Sequence, residues 1–176
     1  MQSKVTNIYL IGYRCSGKST VGRALADHCG LGFYDTDEII TAGEQKTITE
    51  IVAGRGWPYF RELEKQCLQR VAKKKSKVVA TGGGIVLHPD NIACMHSSGK
   101  VLWLRVKPQT VLHRLSRDPA TESCRPALTR QDVEKEILAT LAARRELYSQ
   151  AADLSFRTDR MQPEEIVAAI LRTFSP

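Results

Sequence analysis

A chain of 176 residues, 42% hydrophobic and 26% charged, is sized for one compact, soluble domain with its own core. Its net charge of +7 suits an anionic partner, whether nucleic acid, membrane or a small phosphate or carboxylate, and no stretch approaches the ~20 apolar residues that span a bilayer. The five cysteines (Cys15, Cys29, Cys67, Cys94, Cys124) lack C-x-x-C spacing, which argues against a disulfide framework or a zinc site and for a reducing, cytoplasmic compartment.

From Met1 the chain moves straight into the apolar, β-branched run Val5 to Ile11, a strand that leaves no room for a signal peptide. Gly12-Tyr13-Arg14-Cys15-Ser16-Gly17-Lys18-Ser19 follows, matching G-x-x-x-x-G-K-[ST]. Helical spacing (Val21, Leu25, Cys29) then runs from Ser19 to Cys29. Between a strand and a helix, such a loop points backbone N–H groups and the helix N-terminus at an anion. Lys18 would reach the β- and γ-phosphates of a nucleotide, and the Ser19 hydroxyl would ligate Mg²⁺. Cys15 is either a small residue tolerated in this loop or a thiol made oxidisable by its cationic surroundings.

Phe33-Tyr34-Asp35-Thr36-Asp37 places two carboxylates at the end of a short strand. In extended geometry both point one way, one toward a metal and one toward a substrate hydroxyl. The alternative is an N-cap for the next helix, a role Asp37 could fill. Trp57 to Glu64 starts a helix with Pro58 near its beginning and a stripe of Phe60, Leu63, Cys67, Leu68 and Val71. Arg61 and Glu64 flank that stripe, either as a surface ion pair or as an arginine fork held ready for a carboxylate. The run Lys73-Lys74-Lys75-Ser76-Lys77 reads as a solvated helix end.

Val78 to Thr81 is a short buried strand opening onto Gly82-Gly83-Gly84, where a backbone can approach a ligand closely. Val101 to Leu104 is another strand. Arg117 to Leu128 is polar, carries Pro119 and Pro126, and reads as a mobile lid with Arg125 placed to close on phosphates. The helix after Thr129 has its stripe at Val133, Ile137, Leu141 and Tyr148, and Arg144 returns to the azimuth of Val133. An arginine on an apolar face needs a partner, which is either an internal acid or an anionic substrate. Leu154 to Thr158 is the last strand, before a helix from Pro163 to near Phe174. Apolar strands alternating with helices imply a parallel sheet covered on both faces, with ligands beyond its carboxyl ends.

Taken together, G-Y-R-C-S-G-K-S, D-T-D, F-R-E-L-E, T-G-G-G and R-P-A-L resemble the shikimate kinase family in order and spacing, from about Asn7 to about Phe174. The resemblance implies an α/β fold of the P-loop and nucleoside-monophosphate-kinase type, with a five-stranded parallel sheet in the order 2-3-1-4-5. It implies one domain over residues 1–176, with a shikimate-binding segment at about 35–62 and a lid at about 117–128. The reaction would move the γ-phosphate of ATP to the 3-hydroxyl of shikimate, with Mg²⁺. By the same likeness Cys15, Ser16, Gly17, Lys18, Ser19 and Thr20 hold ATP. Ser19 ligates the metal, Asp35 holds it through water, and Asp37 bonds the reacting hydroxyl and acts as base. Arg61, supported by Glu64, and Arg144 clamp the shikimate carboxylate, and the turn Gly82-Gly83-Gly84 supplies a backbone donor from Gly83. Arg125 neutralises the transferring charge, Arg117 lies along adenine, and Arg160 falls in the segment bordering it. Two positions depart from the family: Cys15 replaces a usual glycine, and Ala127 stands in the R-P-A-L motif. The expected partners are ATP and shikimate, with no nucleic acid or membrane, in a monomer. Rival readings are a P-loop kinase of gluconate or a nucleoside monophosphate, and a non-catalytic sensor of the same ligands.

Overall fold

Strand β1 (Asn7–Ile11) carries Tyr9, Leu10 and Ile11, all fully buried, as a strand covered on both faces must be. It lies at the centre of a five-stranded sheet in the order β2-β3-β1-β4-β5, the order expected from the sequence. The other strands are β2 (Gly32–Asp35), β3 (Lys77–Ala80), β4 (Gly99–Arg105) and β5 (Leu154–Arg157). Every pairing is parallel, with Tyr9 in register with both Val79 and Val101. The computed structural model describes residues 7–117 and 130–174.

Alternation along the strands sorts the core into two layers. Tyr9, Ile11, Val79 and Val101 face α2 (Thr36–Glu44), α3 (Ile48–Ala72), α4 (Pro89–Ser98) and α6 (Arg130–Ala151) through Ile40, Phe60, Leu68, Met95 and Tyr148. Leu10, Val78, Leu102 and Leu104 face α1 (Lys18–Cys29) and α7 (Pro163–Phe174) through Val21, Leu25, Ile166, Val167 and Ile170. Each buried aliphatic chain contributes about 1.5–3 kcal/mol, so three of them anchor α7 firmly. Helix α5 (Pro108–Leu115) buries Val111 beside Tyr13 and Ile137, joining the loop after β1 to α6.

The helix read as starting at Trp57 is the second limb of α3, and a first limb that the sequence reading did not include precedes it from Ile48, where Thr47 and Glu50 form a capping box. Gly56 (φ 78, ψ 168) separates the two limbs, and Pro58 sits in the first turn of the second, where it sacrifices no needed N–H. Lys73, Lys74 and Lys75 are exposed at the end of α3, as read, while Lys77 is half-buried and opens β3.

Candidate active site

The loop from Gly12 to Gly17 bends back over β1 because two glycines adopt positive φ, Gly12 at 143° and Gly17 at 93°. Cys15 also sits in the left-handed region (φ 58), which costs a residue with a side chain about 1–2 kcal/mol. Arg114, a residue that no sequence pattern singled out, donates to the Cys15 carbonyl at 2.7 Å and to the Thr158 carbonyl at 2.6 Å. It ties the strained loop to the segment after β5. Lys18 Nζ donates to the carbonyls of Gly12 (2.9 Å) and Tyr13 (2.8 Å), and desolvation pulls its pKa down. Ser16 is buried, Gly17 and Ser19 are partly covered, and Thr20 is exposed in the first turn of α1.

At the end of β2 the backbone turns directly into α2, so Asp35 and Asp37 do not share an extended segment. Asp35 is the N-cap: its Oδ1 accepts from the amides of Asp37 (3.0 Å) and Glu38 (3.4 Å). Its Oδ2 accepts from the Ser19 hydroxyl at 2.6 Å. Asp37 lies in the first turn of α2, and its Oδ1 is buried with no hydrogen-bond partner. Burial first, then repulsion from Asp35 and Glu64, pushes Asp37 up to about 7, against the opposing pull of Lys18 and Arg61.

The Gly82-Gly83-Gly84 turn is pinned from both sides. The Gly82 amide donates to Thr36 Oγ1 at 3.0 Å, while the Gly83 carbonyl accepts from Tyr148 Oη (2.5 Å) and Arg144 Nη1 (3.1 Å). Side chains would not fit here. A Cβ at Gly82 would fall 2.8 Å from Asp37 Oδ1 and overlap Glu64 Oε1, and one at Gly84 would overlap the Arg61 guanidinium. Arg61 donates to Glu64 Oε2 and stacks 4.9 Å from the Trp57 ring centroid. Glu64 is fully buried, so of the two readings of the Arg61–Glu64 pair the surface ion pair does not hold; burial raises its pKa against the pull of Arg61, and its Oε1 has no partner among the described residues. Tyr148, read from sequence only as apolar stripe, stacks on Trp103 at 5.6 Å and holds the turn with its hydroxyl.

One cavity of about 1510 Å³ runs past Tyr13 and Arg14 of the phosphate loop, α2, the break in α3, the glycine turn and α6, while Lys18, Ser19 and Asp35 lie outside its lining. It brings together Asp37, Arg61, Glu64, Gly82, Gly83, Gly84 and Arg144, with Arg14 of the loop. Two carboxylate oxygens without donors, Asp37 Oδ1 and Glu64 Oε1, converge on Gly82, and the guanidinium groups of Arg61 and Arg144 open onto the same space. Such a site suits a small anion that also carries hydroxyl donors. Arg117 is exposed one turn beyond Arg114, and Arg160 is exposed after β5. Arg125, Ala127 and the lid from residue 118 onward lie outside the described residues. Among the described residues no group of three or more His, Cys, Asp or Glu could hold a metal. The pair of Ser19 Oγ and Asp35 Oδ2 is a hard-oxygen donor set and fits Mg²⁺, which takes few protein ligands and completes its shell with water and substrate phosphates.

The family model described as shikimate kinase matches residues 14–175. A curated shikimate kinase from Thermosynechococcus vestitus is 45% identical over 168 residues, covering 95% of this chain and 88% of its own. Among solved structures, a shikimate kinase from Bacteroides thetaiotaomicron superposes with a TM-score of 0.90 at 31% identity, covering 96% of this chain and 98% of its own. A shikimate kinase from Acinetobacter baumannii, solved in complex with shikimate, gives 0.89 at 30% identity, covering 97% and 93%.

Proposed function

Because the chain belongs to the shikimate kinase family, we propose that it transfers the γ-phosphate of ATP to the 3-hydroxyl of shikimate at the cavity described above. The observation that carries this reading is the pairing of partnerless carboxylate oxygens with open guanidinium groups around Gly82. Hydroxyl donors of the ring satisfy the former and the carboxylate satisfies the latter.

ATP phosphates lie on the loop amides from Cys15 to Thr20, and Lys18 exchanges the Gly12 and Tyr13 carbonyls for the β- and γ-oxygens. Ser19 directly, and Asp35 through water, would hold Mg²⁺, which supplies neutralisation of charge on the phosphate oxygens. Asp37 bonds the reacting hydroxyl and takes its proton, a task for which a carboxylate near neutrality is suited. Arg61, braced by Glu64, and Arg144 take the shikimate carboxylate. Tyr148 keeps the Gly83 carbonyl bonded while Arg144 turns to the substrate. Residues at about 35–62 form the acid-binding segment and those at about 117–128 the lid, from which Arg125 meets the transferring charge. Arg117 borders adenine, with Arg160 in the same region. The protein works as a cytoplasmic monomer without nucleic-acid or membrane partners. No described helix is long and apolar enough to cross a membrane.

The clamp gives the test. Arg144→Ala is expected to raise the shikimate KM by roughly 10- to 100-fold, the scale of one lost charge-assisted bond, and to leave the ATP KM nearly unchanged. Arg61→Ala should do the same with a fall in Tm, since it strips the buried Glu64 of its partner. Steady-state kinetics in both substrates decide it, and equal losses for acid and nucleotide would contradict the clamp.

A further inference from the structure

Arg14 is a charged residue of the phosphate loop to which the reading above gives no task. It lines the cavity with Asp37, Arg61 and Arg144. Its Nε is buried and donates to no group among the described residues. Among the described residues the one carboxylate oxygen within 4.0 Å of it is Glu136 Oε1, at 4.0 Å from Nη2, too far for a hydrogen bond. A guanidinium kept for structure alone would have its buried donor satisfied, because an unmade buried bond is costly. This one lies over the Tyr13 ring, 5.6 Å from its centroid, with its buried donor unmet among the described residues.

Its position says what it is held for. Glu136, Thr140 and Arg144 line the cavity at spacings of four residues, so they form one row along α6. Arg144 stands at the carboxylate end of that row. Arg14 stands at the Glu136 end, two helical turns or roughly 12 Å away, the scale of a ring acid extended by a phosphoryl group. It is also rooted in the loop from which the phosphoryl group leaves. We propose that Arg14 is a further catalytic residue, one that donates Nε–H and Nη–H to the phosphoryl group as it reaches the acceptor hydroxyl and after it has arrived. Glu136 parks the guanidinium in the free protein. The bond made is to a group that is a neutral hydroxyl in the acid substrate and a dianionic phosphate in the product, so Arg14 discriminates product from substrate. The proposal rests on the phosphotransfer reading.

Arg14→Met, compared with the unmodified protein, tests it through kcat and through affinities for shikimate, its 3-phosphate and ATP by calorimetry. The expected result is a kcat lower by about 10²-fold and 3-phosphate affinity weaker by about tenfold or more, with shikimate and ATP affinities within about twofold. Arg14→Lys, which keeps the charge and loses the fork, should recover part of the 3-phosphate affinity and guards against a folding artefact. Equal loss of affinity for shikimate and its phosphate, or no loss for either, would overturn the proposal while leaving the kinase reading intact. An unmodified protein that does not phosphorylate shikimate would instead overturn that reading, and this one with it.

Discussion

Lys18→Met should lose at least about 10³-fold in turnover and keep its fold. In the proposed reaction the ammonium meets the β- and γ-oxygens of ATP, and Arg14, on the acceptor side of the cavity, does not take its place. The same substitution has little reason to unfold the protein. Burial already disfavours the charged form of Lys18, so a neutral side chain of similar length removes a desolvation cost. It gives up in return two bonds to the Gly12 and Tyr13 carbonyls, each worth about 1 kcal/mol net. Coupled ADP release and a ligand-free thermal melt measure the two effects together. Activity within tenfold of the unmodified protein would show that this loop is not the phosphate site of the reaction.

The second large effect belongs to Asp37. If Asp37 takes the proton of the attacking hydroxyl, as proposed, its replacement by asparagine should lower kcat by about 10²- to 10⁴-fold. Asp37→Asn should also move stability in a direction that a merely damaged core would not. The folded-state pKa is raised from 3.8 to about 7, so the carboxyl contributes stability that is complete below its unfolded pKa. That stability is lost as pH rises toward and through about 7, on the order of a few kcal/mol in all. In metal-free buffer the variant should therefore gain on the unmodified protein between pH 5 and pH 8, at the rate that the lost carboxyl titrates. Parallel melting curves across that range would mean that Asp37 is not held in the repulsive setting described for it.

Much of this site could be read from residue order because its parts are local. The phosphate loop is a contiguous segment whose neighbours, β1 and α1, announce themselves by apolar runs and helical spacing. Arg144 was legible as an anomaly, since periodicity puts it on the buried side of α6. What periodicity could not supply was its partner, the Gly83 carbonyl, which lies 61 residues away in sequence. The same gap hid Arg114, whose two carbonyl partners lie 99 and 44 residues away. Spacing left open whether Arg61 and Glu64 form a surface pair or a braced fork at a cleft for a related reason: it places Glu64 beside the apolar stripe, and only the approach of the glycine turn buries it. The start of α3 was missed because Gly54, Gly56 and Pro58 look like a single interruption. In fact the Thr47–Glu50 capping box starts a helix before Gly56 breaks it. For the two aspartates spacing left open a shared strand face and an N-cap, which Asp37 could also fill. Asp35 instead caps α2, and this cap gives Asp37 its place in the first helical turn.

In the proposed reaction the paired acceptors and guanidinium groups around Gly82 take shikimate as the phosphoryl acceptor. ADP release by the full chain, with ATP and Mg²⁺, against shikimate, gluconate and nucleoside monophosphates tests it most directly, with the product identified by phosphorus-31 NMR. The account predicts ADP release with shikimate alone and a single phosphate ester at its 3-hydroxyl. Turnover of gluconate or a nucleotide in place of shikimate, or shikimate binding without any ADP release, would contradict it.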